Sequence, residues 1–182
     1  MITKTVMDYL KDSDGLSNTD EIIKKHRQES REEHNKIFSK ERFVNVLIDD
    51  YKKHGNLIVA FDFDDTIHPS SPNYPCNLVI NLLRVCTQLG FVMICFTART
   101  LNSDMEMIRE ECKSLGIGCD YINTDADSIK EEYDFEHAHK IFYNIFLDDR
   151  AGLESAYNIL WMFIEWFVDQ DINSVDARKE GY

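Results

Sequence analysis

A group of carboxylates follows an apolar run of strand length in the first half of the chain. Asp62, Asp64, Asp65 and Thr66 come directly after the run 58–61, in the segment Ile-Val-Ala-Phe-Asp-Phe-Asp-Asp-Thr. Carboxylates this close repel one another, so each raises the pKa of its neighbours. A bound cation offsets that repulsion, and we therefore expect a metal or substrate site here.

Two later apolar runs also end in polar side chains. Thr97 follows the run 91–96, and Asp148 and Asp149 follow the run 143–147. In a parallel α/β sheet the carboxyl ends of the strands face the same crevice, so these side chains should meet. The predicted pocket consists of Asp62, Asp64, Thr97, Asp148 and Asp149.

The elements that would position this pocket follow from the pattern after Gly55. Apolar runs alternate with amphipathic stretches, which is typical of an α/β protein with a Rossmann-like parallel sheet flanked by helices. We predict strands at 57–63, 91–96, near Tyr121 and at 143–147. We predict helices at 76–89, 103–115 and 152–168.

Residues 1–55 form a separate, charge-rich region that we interpret as a helical N-terminal extension to a catalytic domain of residues 56–182. A first helix should begin at an Asn18 or Thr19 cap. A second helix includes Phe43 to Tyr51, whose apolar side chains recur at spacings of three and four. We expect it to pack on the final helix.

The final helix is apolar nearly all round, but it is not expected to cross a membrane. Its predicted length is short of the roughly 20 apolar residues of a span, and it carries Glu154, Asn158 and Glu165. A helix covered on two sides fits this pattern. The second cover is either the N-terminal helices or another subunit, which leaves a homodimer through this helix open.

The net charge of −13 lies entirely in the second part of the chain. Residues 1–55 hold 11 basic and 11 acidic residues, whereas residues 56–182 hold 9 basic and 22 acidic ones. Such a field repels polyanions, so nucleic acid and anionic membranes are disfavoured partners. A small phosphorylated substrate is favoured instead.

The N-terminus and the cysteines point to the cytoplasm. Charges interrupt every apolar stretch of residues 1–15, so the apolar core of a signal peptide is missing. The five cysteines are odd in number and contain no C-x-x-C pair, which argues against a disulfide framework and a zinc site.

Four motifs, taken in order, resemble those of the haloacid dehalogenase superfamily: D-x-D-x-T after a first strand, Thr97 after a second, a lysine, and D-D after a later strand. The stretch from Lys140 to Arg150 is similar to small capless bacterial and phage members that carry K-I-Y-x-x-x-Y-I-D-D-R. The resemblance covers about residues 56–160. It implies a Mg²⁺-dependent phosphatase without a cap domain, since the segments 67–75 and 123–139 are too short for one.

The resemblance also implies residue roles. Asp62 is the nucleophile that takes the phosphoryl group, and Asp64 is the acid that protonates the leaving oxygen and later activates water. Mg²⁺ is held by Asp62, the Asp64 backbone carbonyl, and Asp148 or Asp149. Thr97 hydrogen-bonds the phosphate.

The active-site lysine and Arg99 leave alternatives open, and Asp65 and His68 need a separate interpretation. The active-site lysine is Lys140 or Lys130, and we favour Lys140 because it directly precedes the last strand. Arg99 resembles the Ser/Thr-Gly-Arg pattern of polynucleotide 3′-phosphatases and is either a phosphate ligand or a surface ion-pair partner. The superfamily often has glycine where this chain has Asp65. His68 we interpret as a solvated loop residue.

The expected function is hydrolysis of a small phosphomonoester, such as a nucleotide, through an aspartyl-phosphate. The alternatives are a polynucleotide 3′-phosphatase and a non-catalytic protein that binds phosphate or metal. Phosphotransfer to a second substrate is also compatible with the motifs. A bacterial receiver domain is not, because its phosphorylated aspartate comes from a middle strand.

Overall fold

A computed structural model describes residues 37–72, 74–132 and 141–179, and for residues 131–132 and 171–179 it describes the backbone alone. The predicted helix at Asn18 or Thr19 and the predicted active-site Lys140 lie outside the described residues. The chain divides into two compact units, Met1–Arg42 and Phe43–Tyr182, and the sheet lies in the second.

Helices and strands alternate along the second unit, as the sequence pattern predicts. The helices are α1 (Lys40–His54), α2 (Asn77–Gln88), α3 (Asn102–Leu115), α4 (Asp127–Glu132) and α5 (Leu153–Lys179). The strands are β1 (Ile58–Phe61), β2 (Val92–Cys95), β3 (Tyr121–Ile122) and β4 (Ile145–Leu147). The short helix α4 was not among the predicted elements.

The four strands form one parallel sheet in the order β3-β2-β1-β4. Phe61 pairs with Cys95 of β2 and with Leu147 of β4, so the strands end level with one another around β1. The predicted fold class, a Rossmann-like parallel sheet flanked by helices, is confirmed. The strands are shorter than predicted: β1 ends at Phe61 rather than at residue 63, and β4 begins at Ile145 rather than at residue 143.

The sheet has a large core on one face and a small one on the other. On the first face, Phe61, Met93 and Leu147 pack with α2, α3 and α5. On the second face, Ala60 and Ile94 pack with a small apolar group contributed by Ala126, Ile129 and Ile141. Both faces of β1 are buried, which explains its uninterrupted apolar sequence.

Helix α1 packs against α5, as predicted for the segment from Phe43 to Tyr51. The Tyr51 ring lies 5.9 Å from the Phe163 ring and 5.1 Å from the Phe167 ring. The Lys52 ammonium lies 5.6 Å from the centre of the Trp166 ring. The compact unit that holds the sheet begins at Phe43, within α1.

Helix α5 is longer than predicted, ending at Lys179 rather than at residue 168. Residues 169–179 are polar, but they contain neither proline nor glycine, so nothing in the sequence stops the helix where the apolar run stops. Phe163 is fully buried, whereas Trp161 remains 40% exposed. Among the described helices, none is long and apolar enough to cross a membrane.

Candidate active site

Two loops at the carboxyl end of the sheet are tied together at the predicted pocket. The Asp62 backbone N–H donates to the Leu147 carbonyl over 2.8 Å, which continues the β1–β4 ladder by one bond. The Asp149 N–H donates to the Thr66 hydroxyl over 3.2 Å, and Thr66 is fully buried. The last residue of the D-x-D-x-T motif therefore positions the D-D motif.

The structure brings Asp62, Asp148 and Asp149 together. One carboxylate oxygen of each lies within 4.8 Å of those of the other two, and all three side chains are half-buried. Hard divalent cations such as Mg²⁺ prefer ligands of this type, carboxylate oxygens in a small cluster. These three residues therefore fit the predicted metal site.

The electrostatics of Asp62 point in the same direction. Burial raises its pKa from 3.8 to about 6, a hydrogen bond with the Phe63 backbone opposes the rise, and the charges of Asp148, Asp64 and Asp149 add to it. A carboxylate that is costly to ionise among other carboxylates is stabilised by a nearby cation. A cation bound beside Asp62 would therefore favour its ionised form.

Asp64 lies outside this carboxylate cluster and is held by Arg99. The guanidinium makes two bonds to the carboxylate, Nε to Oδ2 at 3.0 Å and Nη2 to Oδ1 at 2.6 Å. These bonds hold the pKa of Asp64 below its usual range. The Arg99 guanidinium also lies 5.2 Å from the centre of the buried Phe63 ring. Of the two alternatives for Arg99, the structure shows an ion pair.

Thr97 is buried at the end of β2 and is held by Asn123, a residue that the sequence analysis did not select. The Thr97 N–H donates to the Asn123 side-chain oxygen over 2.8 Å, and the Asn123 amide donates to the Thr97 carbonyl over 2.8 Å. Asn123 has a φ of 53°, which asparagine tolerates better than most residues. Asn123 directly follows β3, so it lies at the same edge of the sheet as the polar residues that follow the other strands.

Asp65 stands at a position where the superfamily that the sequence resembles often has glycine. Its backbone adopts a conformation that glycine favours. Its φ is 57°, in the left-handed region that glycine favours and aspartate tolerates. The Asp65 carboxylate accepts the Ser70 N–H over 2.8 Å, and its own N–H donates to the His68 carbonyl over 2.8 Å. These local hydrogen bonds stabilise the turn at Asp65, so the turn forms without a glycine at this position.

His68 lies in the loop after β1 with its side chain 37% exposed, and it also makes two contacts that the sequence did not suggest. Its ring stacks on Phe63, with centroids 5.0 Å apart, and its Nδ1 lies 2.8 Å from a carboxylate oxygen of Glu111. The contact ties the loop after β1 to helix α3. A buried phenylalanine and a distant glutamate give no local signal, so the sequence could not reveal it.

Of the two candidate lysines, Lys130 lies within the described residues and Lys140 does not. Lys130 lies on α4, where its ammonium is 3.2 Å from the Asp127 carboxylate and 5.8 Å from the centre of the Tyr121 ring. Lys130 is not among the residues that line the pocket. Arg150 lines the pocket; its side chain is 88% exposed, and its Nε lies 3.9 Å from the Asp149 carboxylate.

An open cavity of about 390 Å³ lies over these groups. Its size is at the lower end of the roughly 300–1,000 Å³ of small-molecule pockets. The lining residues are Asp62, Asp64, Phe96, Thr97, Ala98, Phe146, Asp148, Asp149 and Arg150. All five residues of the predicted pocket are among them.

Comparisons with known proteins add little to this geometry. No family model matches the chain. No curated protein matches it. A solved structure of a conserved protein from Bacteroides thetaiotaomicron is similar at 21% identity and a TM-score of 0.46, over 60% of this chain and 90% of that chain. A likeness at this level carries no argument about function.

The arrangement brings carboxylates and a threonine together over one open cavity. Asp62 is the carboxylate that directly follows β1. Thr97 and Asp64 line the same cavity as Asp62, and the Asp64 carboxylate is bonded to Arg99. Catalysis of phosphoryl transfer depends chiefly on positioning and on charge stabilisation, and this pocket supplies groups for both.

Proposed function

We propose that the protein is a Mg²⁺-dependent phosphohydrolase that cleaves a small phosphomonoester through an aspartyl-phosphate on Asp62. The observation that carries the proposal is the cluster of Asp62, Asp148 and Asp149 oxygens beside Asp64 and Thr97. The order of these motifs resembles the haloacid dehalogenase superfamily, and the roles below follow that resemblance.

In the first step an oxygen of Asp62 attacks phosphorus, and the bond from phosphorus to the leaving oxygen breaks. Asp64 donates a proton to that oxygen, so the product leaves as an alcohol. In the second step water attacks the phosphorus of the aspartyl-phosphate, Asp64 takes a proton from the water, and phosphate and the free Asp62 carboxylate are released. Mg²⁺, held by Asp62, the Asp64 backbone carbonyl, and Asp148 or Asp149, as the resemblance implies, would supply positive charge to the phosphoryl oxygens.

Arg99 acts on this scheme through Asp64. Its two hydrogen bonds favour the ionised carboxylate, which suits the water-activating step. Protonation of the leaving group requires the neutral acid, so the Arg99 contact has to loosen when substrate binds. In this proposal Arg99 positions Asp64, and a direct contact of Arg99 with the substrate phosphate is the alternative that the pH profiles below distinguish.

The positive partner of Asp62 and the phosphate remains Lys140 in this proposal. Lys130 is paired with Asp127 and lies off the pocket, which favours the lysine that directly precedes the last strand. Arg150, at the rim, is a second source of positive charge. The cavity size and the acidic surface favour a small substrate over a nucleic-acid end, the alternative considered above.

The test is release of phosphate from a panel of small phosphomonoesters in the presence of Mg²⁺. We expect turnover that EDTA abolishes and that Asp62→Asn lowers by about a thousandfold, as for other covalent nucleophiles. Asp127→Asn, an exposed change at a residue that does not line the pocket, is the matched control. Wild-type protein that binds Mg²⁺ and phosphate but turns over no member of the panel would show a non-catalytic binding protein.

A further inference from the structure

Two phenylalanines form the apolar wall of the candidate pocket. Phe96 directly follows β2 and is 36% exposed, and Phe146 is the central residue of β4. Their ring centroids lie 5.8 Å apart with the planes at 60°. Both rings line the same cavity as the carboxylates of Asp62 and Asp148. The pocket therefore has one anionic, metal-binding side and one aromatic side.

The aromatic side is held in place from behind. The Phe96 N–H donates to the Phe61 carbonyl over 2.9 Å, which fixes its backbone to the central strand. The Tyr143 ring lies 5.3 Å from the Phe146 ring, and Phe146 packs on the small core of the sheet. A ring pair that is supported by strands and still faces a cavity is preorganised to receive a flat group.

We propose that Phe96 and Phe146 form a stacking subsite for a nucleobase, so that the preferred substrates are nucleoside monophosphates. The inference rests on the proposed phosphohydrolase function. A phosphate at the carboxylate side leaves the rest of the substrate within reach of the rings, because all these groups share one cavity of about 390 Å³. Aliphatic phosphomonoesters offer no flat surface to the rings and would gain little from them.

The kinetic test compares adenosine 5′-monophosphate with ribose 5-phosphate, which differ only in the base. Wild-type protein should have the higher kcat/KM for the nucleotide. Phe96→Leu and Phe146→Leu should lower the nucleotide-to-sugar ratio roughly tenfold, through KM more than kcat, because stacking on an aromatic side chain stabilises a base by this order. Phe96→Tyr keeps the ring and should keep the ratio.

Phe142→Leu is the matched control. Phe142 is 37% exposed, like Phe96, but it lines a different cavity together with Ile58 and Val92 at the start of their strands. We expect the ratio to be unchanged in this variant. An equal fall in all three leucine variants would show a general effect on folding and would overturn the subsite.

A second readout separates this inference from the proposed catalytic function. Saturation-transfer NMR with adenosine, which carries no phosphate, should show transfer from the protein to the base protons, and the signal should fall in Phe96→Leu but not in Phe142→Leu. Absence of transfer in the wild type, or equal transfer in both variants, would overturn the subsite. Phosphate release from ribose 5-phosphate tests the catalytic proposal by itself.

Discussion

The half-buried position of Asp62 makes its negative charge costly in the metal-free protein. Its pKa rises from 3.8 to about 6 on folding, chiefly because the carboxylate is desolvated. Because the pKa is higher in the folded state, the contribution of Asp62 to the free energy of unfolding is fully present below pH 3.8. This contribution is lost as the pH rises to about 6. Above that range both states are ionised and the loss is constant.

We therefore expect Asp62→Asn to be more stable than the wild type in EDTA at pH values above about 6, and equally stable below pH 3.8. Asparagine removes the ionisation while keeping the size of the side chain. Melting temperatures of the two proteins across this pH range are the measurement. Adding Mg²⁺ should stabilise the wild type far more than the variant, and equal stabilisation would argue against Asp62 as a ligand.

Arg99 is expected to set the pH at which Asp64 can act as an acid. Because the guanidinium lowers the Asp64 pKa, Arg99→Met should raise it. The falling alkaline limb of kcat/KM for a substrate with a poor leaving group should then move to higher pH, since the acid stays protonated longer.

The pH profiles of wild type, Arg99→Met and Arg109→Met would check this effect. Arg109 lies on α3, where it bonds to the Cys119 carbonyl, so its removal is a control for loss of charge. A rise in KM for Arg99→Met without movement of the limb would indicate that Arg99 binds the substrate phosphate instead.

Single residues at the site divide into those with a sequence signal and those without. Asp62, Thr97, Asp148 and Asp149 could be predicted because each follows an apolar run at the same edge of a parallel sheet. Asn123 follows the same rule, but its strand has only two residues and gives too weak a pattern. The Arg99–Asp64 contact spans unrelated segments, and only the folded chain reveals it.

Helices and strands were predictable in type and less so at their ends. The ends of α2 and α3 lie within one residue of the prediction, because Gly90 and Gly116 follow them with φ values of 76° and 71°. Helix α4 is short and polar, so its sequence gives no period to recognise. The apolar content of α5 predicts which part of the helix is buried, but it does not predict the residue at which the helix ends.

The packing of α5 on the sheet and on α1 gives an element-level prediction. Phe163 is fully buried and contacts Tyr51, Phe91 and Trp166 through its ring. Phe163→Ala should lower the free energy of unfolding by about 3–5 kcal/mol, through lost burial and a cavity. Trp161→Ala, two residues away on the exposed side, should cost clearly less.

Denaturant unfolding of both variants would check the prediction. The Trp161 change also addresses the homodimer considered for this helix, which stays a prediction. If a second subunit covered Trp161, its loss would shift the protein towards the monomer in sedimentation experiments. Similar destabilisation by the two variants in a monomeric protein would contradict the observed burial.

For the proposed function, the charge of residues 56–182 and the size of the candidate cavity favour a small anionic substrate. The acidic excess lies in residues 56–182, yet the pocket offers positions for a metal and for Arg150. The surface repels long polyanions, while a bound cation makes the pocket itself attractive to one phosphate. The net charge could be calculated from the sequence. The position where a cation could make the local potential positive depends on the folded arrangement of Asp62, Asp148 and Asp149.

The central claim is that Asp62 carries the phosphoryl group during turnover. The most direct measurement is acid quench of a reaction with Mg²⁺ and excess substrate, followed by mass spectrometry of the peptide that contains Asp62. We expect a phosphorylated aspartate at Asp62 that disappears once the substrate is exhausted and is missing in Asp62→Asn. Turnover that continues without this adduct, or that persists in Asp62→Asn, would contradict the account.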